Sequence, residues 1–289
     1  MRGIDLTVGA GEVFALLGPN GAGKTTTVEI MEGYRARTSG EVTVLGHDPA
    51  AGKRDFKQRI GIVLQETGLE PFLTVAEAVE LYRGYYPHPR PVDEVIEVVG
   101  LQEKADTRVL KLSGGQQRRL DVAIGLCGDP ELLFLDEPTT GFDPAARRNA
   151  WAMIDNLRSL GKTIFLTTHY MDEAQNLADR VAIIVDGRIV AEGPPGELAG
   201  TDTTRTLISF VVPAGTEDFP RTPDAAWTIA ADGHVGIATA DPVTVLHEIT
   251  TWALQRGVDL EGLTVRRPSL EDVYLELTAP SDQPPAAHE

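Results

Sequence analysis

Three strings in the sequence carry residue types suited to phosphate chemistry. Gly18-Pro19-Asn20-Gly21-Ala22-Gly23-Lys24-Thr25 satisfies the pattern G-x-x-x-x-G-K-[ST], a phosphate-binding loop. Glycines let the backbone turn its N–H groups inward, and a helix starting there adds partial positive charge. Lys24 is placed to reach the outer phosphates of a nucleotide; the Thr25 hydroxyl, followed by Thr26, is placed to bind Mg²⁺. Leu132-Leu133-Phe134-Leu135-Asp136-Glu137 is an apolar run that ends in two acids. Asp136 fits the carboxylate that holds Mg²⁺ from across such a site, and Glu137 fits a proton acceptor for an attacking water. In Leu112-Ser113-Gly114-Gly115-Gln116, a helix N-cap and two glycines make a second anion-binding helix start. Each string has a bland reading: a glycine-rich turn, solvated acids at a strand end, a capped helix. The loop pattern outweighs the first and carries the acidic pair with it.

The elements that must position these residues follow from hydrophobic patterning. Strands are expected over 13–17, 41–45, 60–64, 132–135, 163–167 and 181–185, several apolar on both faces as a helix-covered parallel sheet requires. Helices are expected over 26–32, 75–86, 92–99 and 113–126. Asp143-Pro144 reads as the N-cap and first residue of another, closed at Gly161, with Ala150, Trp151, Ile154, Leu157 and Leu160 as its apolar stripe. The fold class is α/β: a phosphate-loop nucleotide-hydrolase domain over 1–202, with a helical insertion at about 66–127. The composition shifts after Gly193-Pro194-Pro195-Gly196. A small α+β domain is expected over 203–278, with strands at 207–212, 226–231 and 264–266 and helices at 243–255 and 270–277. Residues 279–289, rich in Pro, Ala and acid, read as a disordered tail.

In this order the three strings resemble the nucleotide-binding subunit of an ABC transporter, and the resemblance covers residues 3 to 195. It implies ATP as the bound nucleotide, with Mg²⁺. It also implies roles for residues that are weak signals alone. Gln65, ending the 60–64 strand, matches the family's Q-loop glutamine, which senses Mg²⁺ and the membrane partner. Gly141-Phe142-Asp143 matches the D-loop. His169 matches the switch histidine, which contacts the γ-phosphate and the attacking water. Two copies are implied to sandwich ATP between the Gly18–Thr25 loop of one and the Ser113-Gly114-Gly115-Gln116 loop of the other, as homodimer or heterodimer. A separate transmembrane permease subunit would hold the pair at the cytoplasmic face of the membrane. Gly33-Tyr34-Arg35 with Thr38-Ser39-Gly40, the stretch from Thr168 to Ala174, and Pro268-Ser269-Leu270-Glu271-Asp272-Val273-Tyr274 are similar to the daunorubicin-resistance type, which drives multidrug and antibiotic efflux. The sequence departs from the family at one place. The aromatic that stacks on adenine and the first edge strand are absent before Gly18, where Phe14 is the sole aromatic. The reading frame is therefore expected to begin upstream.

Composition bounds the alternatives. The chain has 289 residues and a formal charge of −17, which repels phosphate backbones and disfavours a nucleic-acid partner. That argues against a ribosome- or DNA-directed ATPase, and intact Lys24, Asp136, Glu137 and His169 argue against a non-hydrolysing regulator. The single cysteine, Cys127, fits a reducing compartment and a small core position. No apolar run spans a bilayer and no signal-peptide core is seen at the start. The other histidines, His47, His88, His234, His247 and His288, lack metal-ligand spacing and read as surface residues.

Overall fold

The computed structural model describes residues 1–64, 68–198, 206–213, 219–223, 225–230 and 232–278. They fall into two compact units, Met1–Pro195 and Gly196–Glu289. The expected boundary at 202/203 and the expected tail lie outside the described residues.

The first unit runs β1 (Val13–Leu17), α1 (Lys24–Glu32), α2 (Arg54–Gln58), β2 (Ile60–Val63), α3 (Val75–Arg83), α4 (Val92–Val98), α5 (Gly114–Leu126), β3 (Leu132–Asp136), α6 (Pro144–Ser159), β4 (Thr163–Thr168), α7 (Met171–Leu177), β5 (Arg180–Val185) and β6 (Arg188–Gly193). After the short α8 (Pro195–Leu198), the second unit runs β7 (Thr206–Val211), β8 (Ala226–Ile229), β9 (His234–Thr239), α9 (Pro242–Arg256), β10 (Glu261–Arg266) and α10 (Leu270–Thr278).

The sheet order in the first unit is β2-β3-β4-β1-β5-β6. β2 to β5 are mutually parallel and β6 is antiparallel. β1 and β4 are buried at every residue, as strands covered on both faces require. Phe14, Phe165 and Phe134 lie in one row across β1, β4 and β3. Their ring centroids are 5.5 Å and 5.9 Å apart. Such cross-strand pairs pin register, and a slip of one residue would turn every side chain to the other face. The register that aligns the phenylalanines also aligns Leu16, Thr167 and Asp136 two residues on. The strand exits leading to Gly18, His169 and Glu137 therefore lie side by side at the C-terminal edge, where open α/β sheets bind ligands.

The structure departs from the sequence reading in several places. Residues 41–45 form no strand: Val44 and His47 make an isolated bridge across a tight turn with Leu45 and Gly46 at φ 50° and 79°. The segment is a hairpin tip without a ladder. β6 went unread although Asp186-Gly187, at φ 49° and 76°, is a hairpin turn of the favoured kind. β9 was also unread. On α6, Met153 is buried and Leu160 is 45% exposed, so the stripe rotates toward Met153 and ends before Leu160.

In the second unit, the sheet order is β10-β7-β9-β8, antiparallel throughout. α9 packs Val245, Ile249, Trp252 and Ala253 onto Ile208, Phe210, Val235 and Ile237. No described helix is long and apolar enough to cross a membrane.

Candidate active site

The loop after β1 is shaped by its glycines. A Cβ on Gly18 would stand 2.4 Å from the Ile184 carbonyl oxygen, and Gly23 adopts φ +111°, a region closed to other residues at ordinary cost. The turn delivers Lys24, 5% exposed, into the first turn of α1. Its ammonium donates to the carbonyls of Gly18 at 2.7 Å and Pro19 at 3.3 Å, and lies 3.3 Å from Glu137 Oε1. Asn20, Gly21 and Thr25 are exposed, Pro19 and Thr26 half-buried, and Ala22 buried.

Glu137 leaves β3 in the left-handed region, at φ 46°, a strained conformation for a side chain with a Cβ. Its N–H donates to the carbonyl and to the hydroxyl of Thr167, both at 3.1 Å. The same hydroxyl donates to Asp136 Oδ1, so one buried threonine orients both acids. His169 Nδ1 lies 3.3 Å from Glu137 Oε1, and Thr140 Oγ1 donates to Oε2 at 3.1 Å. Burial by itself raises the Glu137 carboxyl. Hydrogen bonding to His169, the Lys24 charge and Thr140 outweigh it and hold the group below the usual carboxylate range. Glu137 is thus ionised at neutral pH.

Arg118 was not singled out from sequence. It follows the Ser113 string on α5, is 5% exposed, and donates to three backbone carbonyls: Asp136 at 2.8 Å, Pro138 at 3.3 Å and Leu64. The guanidinium thereby closes the ends of β2 and β3 and brackets the strained Glu137 residue. A helical arginine carries no signal of this in its sequence neighbours; only the sheet order puts carbonyls beneath it.

The Ser113 loop is differently built. Ser113 and Gln116 form a reciprocal capping box, with Gln116 N–H to Ser113 Oγ at 3.3 Å and Ser113 N–H to Gln116 Oε1 at 2.9 Å. Ser113 and Gly114 are exposed. With Gly115, Gln116 and Asp143 they line a cavity of about 920 Å³ that also reaches Glu137. Lys24 and Thr25 are not among its lining residues. Glu137, which Lys24 touches, lines this cavity as well. Asp143 caps α6, accepting from the N–H groups of Ala145 and Ala146 at 2.8 Å. Gln65 lies outside the described residues. Cys127 is buried and its thiol pushed up to about 12 by burial, which makes it inert.

A strand-loop-helix phosphate cradle after β1, two acids at the end of β3 and a histidine just after β4, the strand between them, define a nucleotide-hydrolysing cassette. Comparison with known proteins agrees. Residues 1–140 match the ABC transporter family model and residues 206–269 the model for the C-terminal domain of ABC transporter domain-containing proteins. The Nod factor export ATP-binding protein I of Rhizobium sp. (strain N33) is 39% identical over 284 residues, covering 96% of this chain and 91% of the relative. The daunorubicin resistance ATP-binding protein DrrA2 of Streptomyces coeruleorubidus is 37% identical over 294 residues, covering 96% and 90%. Among solved structures, cbiO1 of Clostridium perfringens, part of the ABC transporter complex cbiONQ, superposes with TM-score 0.63 at 29% identity over 71% of this chain and 86% of that one. A dimeric post-hydrolysis ATP-binding cassette bound to ADP and phosphate gives 0.59 at 27% identity, over 66% and 88%. The chain belongs to the ATP-binding subunits of ABC transporters. It binds and hydrolyses ATP.

Proposed function

We propose that the chain is the motor subunit of an exporter of drug- or antibiotic-like compounds. It acts as a dimer at the cytoplasmic face of the membrane through a separate permease subunit. The observation that carries the hydrolytic part of the reading is the convergence of Lys24 and His169 on one Glu137 oxygen, each at 3.3 Å. The names of the export and resistance relatives, similar over nearly the whole chain, support the export assignment.

In this reading Lys24 exchanges its carboxylate and carbonyl partners for the outer phosphates of ATP. The loop N–H groups of Gly21 and of Gly23 to Thr26 bind the remaining oxygens. Glu137, ionised and freed from Lys24, takes the proton of the attacking water, and His169 lies against both that water and the γ-phosphate. The oxygen donors of Thr25 and Asp136 suit Mg²⁺: the Thr25 side chain is exposed, and Asp136 Oδ1 is oriented by Thr167. Gln65 would join them. Bound there, Mg²⁺ would neutralise phosphate charge.

The Ser113 loop acts in trans, closing the nucleotide site of the second copy with Asp143 beside it. ATP then glues the two copies, and its hydrolysis releases them, so binding energy is available to move the permease between states. The test mixes a Lys24→Ala protomer with a Ser113→Arg protomer, each inactive as a homodimer. One site of the mixed dimer holds both defects and the other neither. Restored hydrolysis, together with cross-links joining residue 113 of one chain to the phosphate loop of the other, is expected. Cross-links confined within one chain would remove the trans arrangement.

A further inference from the structure

The imidazole of His169 lies against Glu137, yet little in its own strand holds it there. It follows the last residue of β4 and is half-exposed, so backbone position alone leaves its ring free to choose among rotamers. What stands behind the ring is Tyr170. The two ring centroids are 4.0 Å apart at 39°. Tyr170 is itself fixed from two sides. Its N–H donates to Thr168 Oγ1 at 3.0 Å, and the guanidinium of Arg147 lies over its ring, 4.3 Å from the ring centre. Arg147 is anchored in turn by Nη1 donating to Asp172 Oδ2 at 3.0 Å. Arg147 stands in the first turn of α6, its N–H bonded to the carbonyl of Asp143 at 2.9 Å. A continuous line of contacts thus runs from the start of α6 through Arg147 and Tyr170 to His169 and Glu137.

We propose that Tyr170, braced by Arg147, is a positioning residue that holds the His169 imidazole against Glu137. The inference rests on the role given to His169 above and extends it to residues with no contact to Glu137. An aromatic face suits this task because it restricts the neighbouring ring while leaving both imidazole nitrogens available for hydrogen bonding. A guanidinium suits the bracing because it stacks on the tyrosine face and binds the Asp172 carboxylate in the same pose. The arrangement also makes the histidine sensitive to movement at the beginning of α6, since Arg147 moves with that helix.

The full-length chain with Tyr170→Ala tests this. A loosely held imidazole should lower kcat about tenfold or more while KM for ATP stays within about twofold, because misplaced groups cost rate rather than substrate binding. In isotope-labelled protein, the His169 ring signals, assigned by their absence in His169→Ala, should move toward those of a freely rotating histidine. Tyr170→Phe keeps the ring face and should restore both kcat and the ring signals. Arg147→Met should give a smaller fall in kcat, about threefold, with a partial shift of the same signals. Tyr170→Ala with unaltered kcat and unaltered His169 signals overturns the proposal. So does Tyr170→Phe as impaired as Tyr170→Ala. Wild-type hydrolysis by His169→Ala would overturn the catalytic reading instead, and the ring signals would still report whether Tyr170 holds the imidazole.

Discussion

Two of the described helix starts, those of α1 and α5, present glycines near phosphate-binding or anion-binding N–H groups, and the chain's own packing treats the two sets differently. In the phosphate loop the requirement is internal: Gly18 has a backbone oxygen where a Cβ would be, and Gly23 sits at φ +111°. In the Ser113 loop, neither reason holds. A Cβ on Gly114 would meet nothing within 4 Å, one on Gly115 would find only Ala146 Cβ at an ordinary 3.8 Å, and neither glycine has a left-handed φ. The chain's own packing therefore does not ask for glycine there. Two N–H groups at a helix start with no side chain over them suit an approaching anion. The first loop is shaped by its own fold, whereas the second is left open by it, as the proposed trans arrangement needs.

The largest expected effect falls on Glu137, which touches Lys24 of the phosphate loop and also lines the cavity at the Ser113 loop. Glu137→Gln keeps size and hydrogen bonding but removes the base, so turnover should fall by about 10²- to 10⁴-fold with ATP binding retained. ATP-dependent dimers should then accumulate on size-exclusion chromatography. Near-normal hydrolysis would remove Glu137 from the chemistry. Because the charge and hydrogen-bond partners of its carboxylate hold it below the usual range in the nucleotide-free chain, the acid limb of the wild-type kcat/KM profile should lie below the ordinary carboxylate region.

Substituting the two sets of glycines tests the comparison itself. Gly114→Val should leave the melting temperature of the monomer within about 2 °C of wild type, since surface changes away from special features move stability little. Hydrolysis and ATP-driven dimerisation should drop about tenfold or more, a cost in association rather than folding. Gly23→Ala should do the reverse in kind: about 1–3 kcal/mol of monomer stability lost to backbone strain, and ATP binding weakened without any partner. If Gly114→Val destabilises the isolated monomer as much as Gly23→Ala does, the distinction between an internal and an external requirement fails.

Much of the site was legible because its signals are local. The phosphate loop needs one strand, one turn and one helix in sequence, and Asp143-Pro144 announced its own helix cap. The apolar runs of β1 to β5 were read within a residue or two because strands buried on both faces are continuous. What escaped depends on lateral order. Thr167 can orient Asp136 and Glu137 only because β4 lies beside β3, and Arg118 finds its three carbonyls only at the joint end of β2 and β3. Nothing in a helical arginine's neighbours along the chain reveals that. β6 alternates exposed with half-buried residues and β9 half-buried with buried ones, so neither presents a continuous apolar run. The Asp186-Gly187 turn was the usable sign of β6. Conversely, 41–45 has β-forming residues but no neighbour to pair with, and residue preference without a ladder makes no strand.

The smallest effect concerns the far end of the phosphate-loop helix. Glu32, the last residue of α1, is 3% exposed, and its carboxyl is pushed up to about 8 by burial, then by the nearby charges of Asp136 and Glu29. A folded-state value above the unfolded one means that between pH 4.5 and about 8 the native state holds a proton that the unfolded chain has released. Stability is then fullest below the unfolded value and falls as pH rises through that window. Glu32→Gln keeps the shape and cannot ionise, so it should be more stable than wild type at pH 8 to 9 by about 1–2 kcal/mol, with the difference shrinking toward pH 5. Asp121, raised to about 7 by burial, and buried Glu173, raised for the same reason, lower stability in the same direction. They are common to both proteins, however, and cancel in the difference. Melting curves of wild type and Glu32→Gln across this range provide the measurement. Parallel curves would mean that the folded protein solvates the Glu32 charge, and the internal side of the phosphate loop would then be less sealed than its burial indicates.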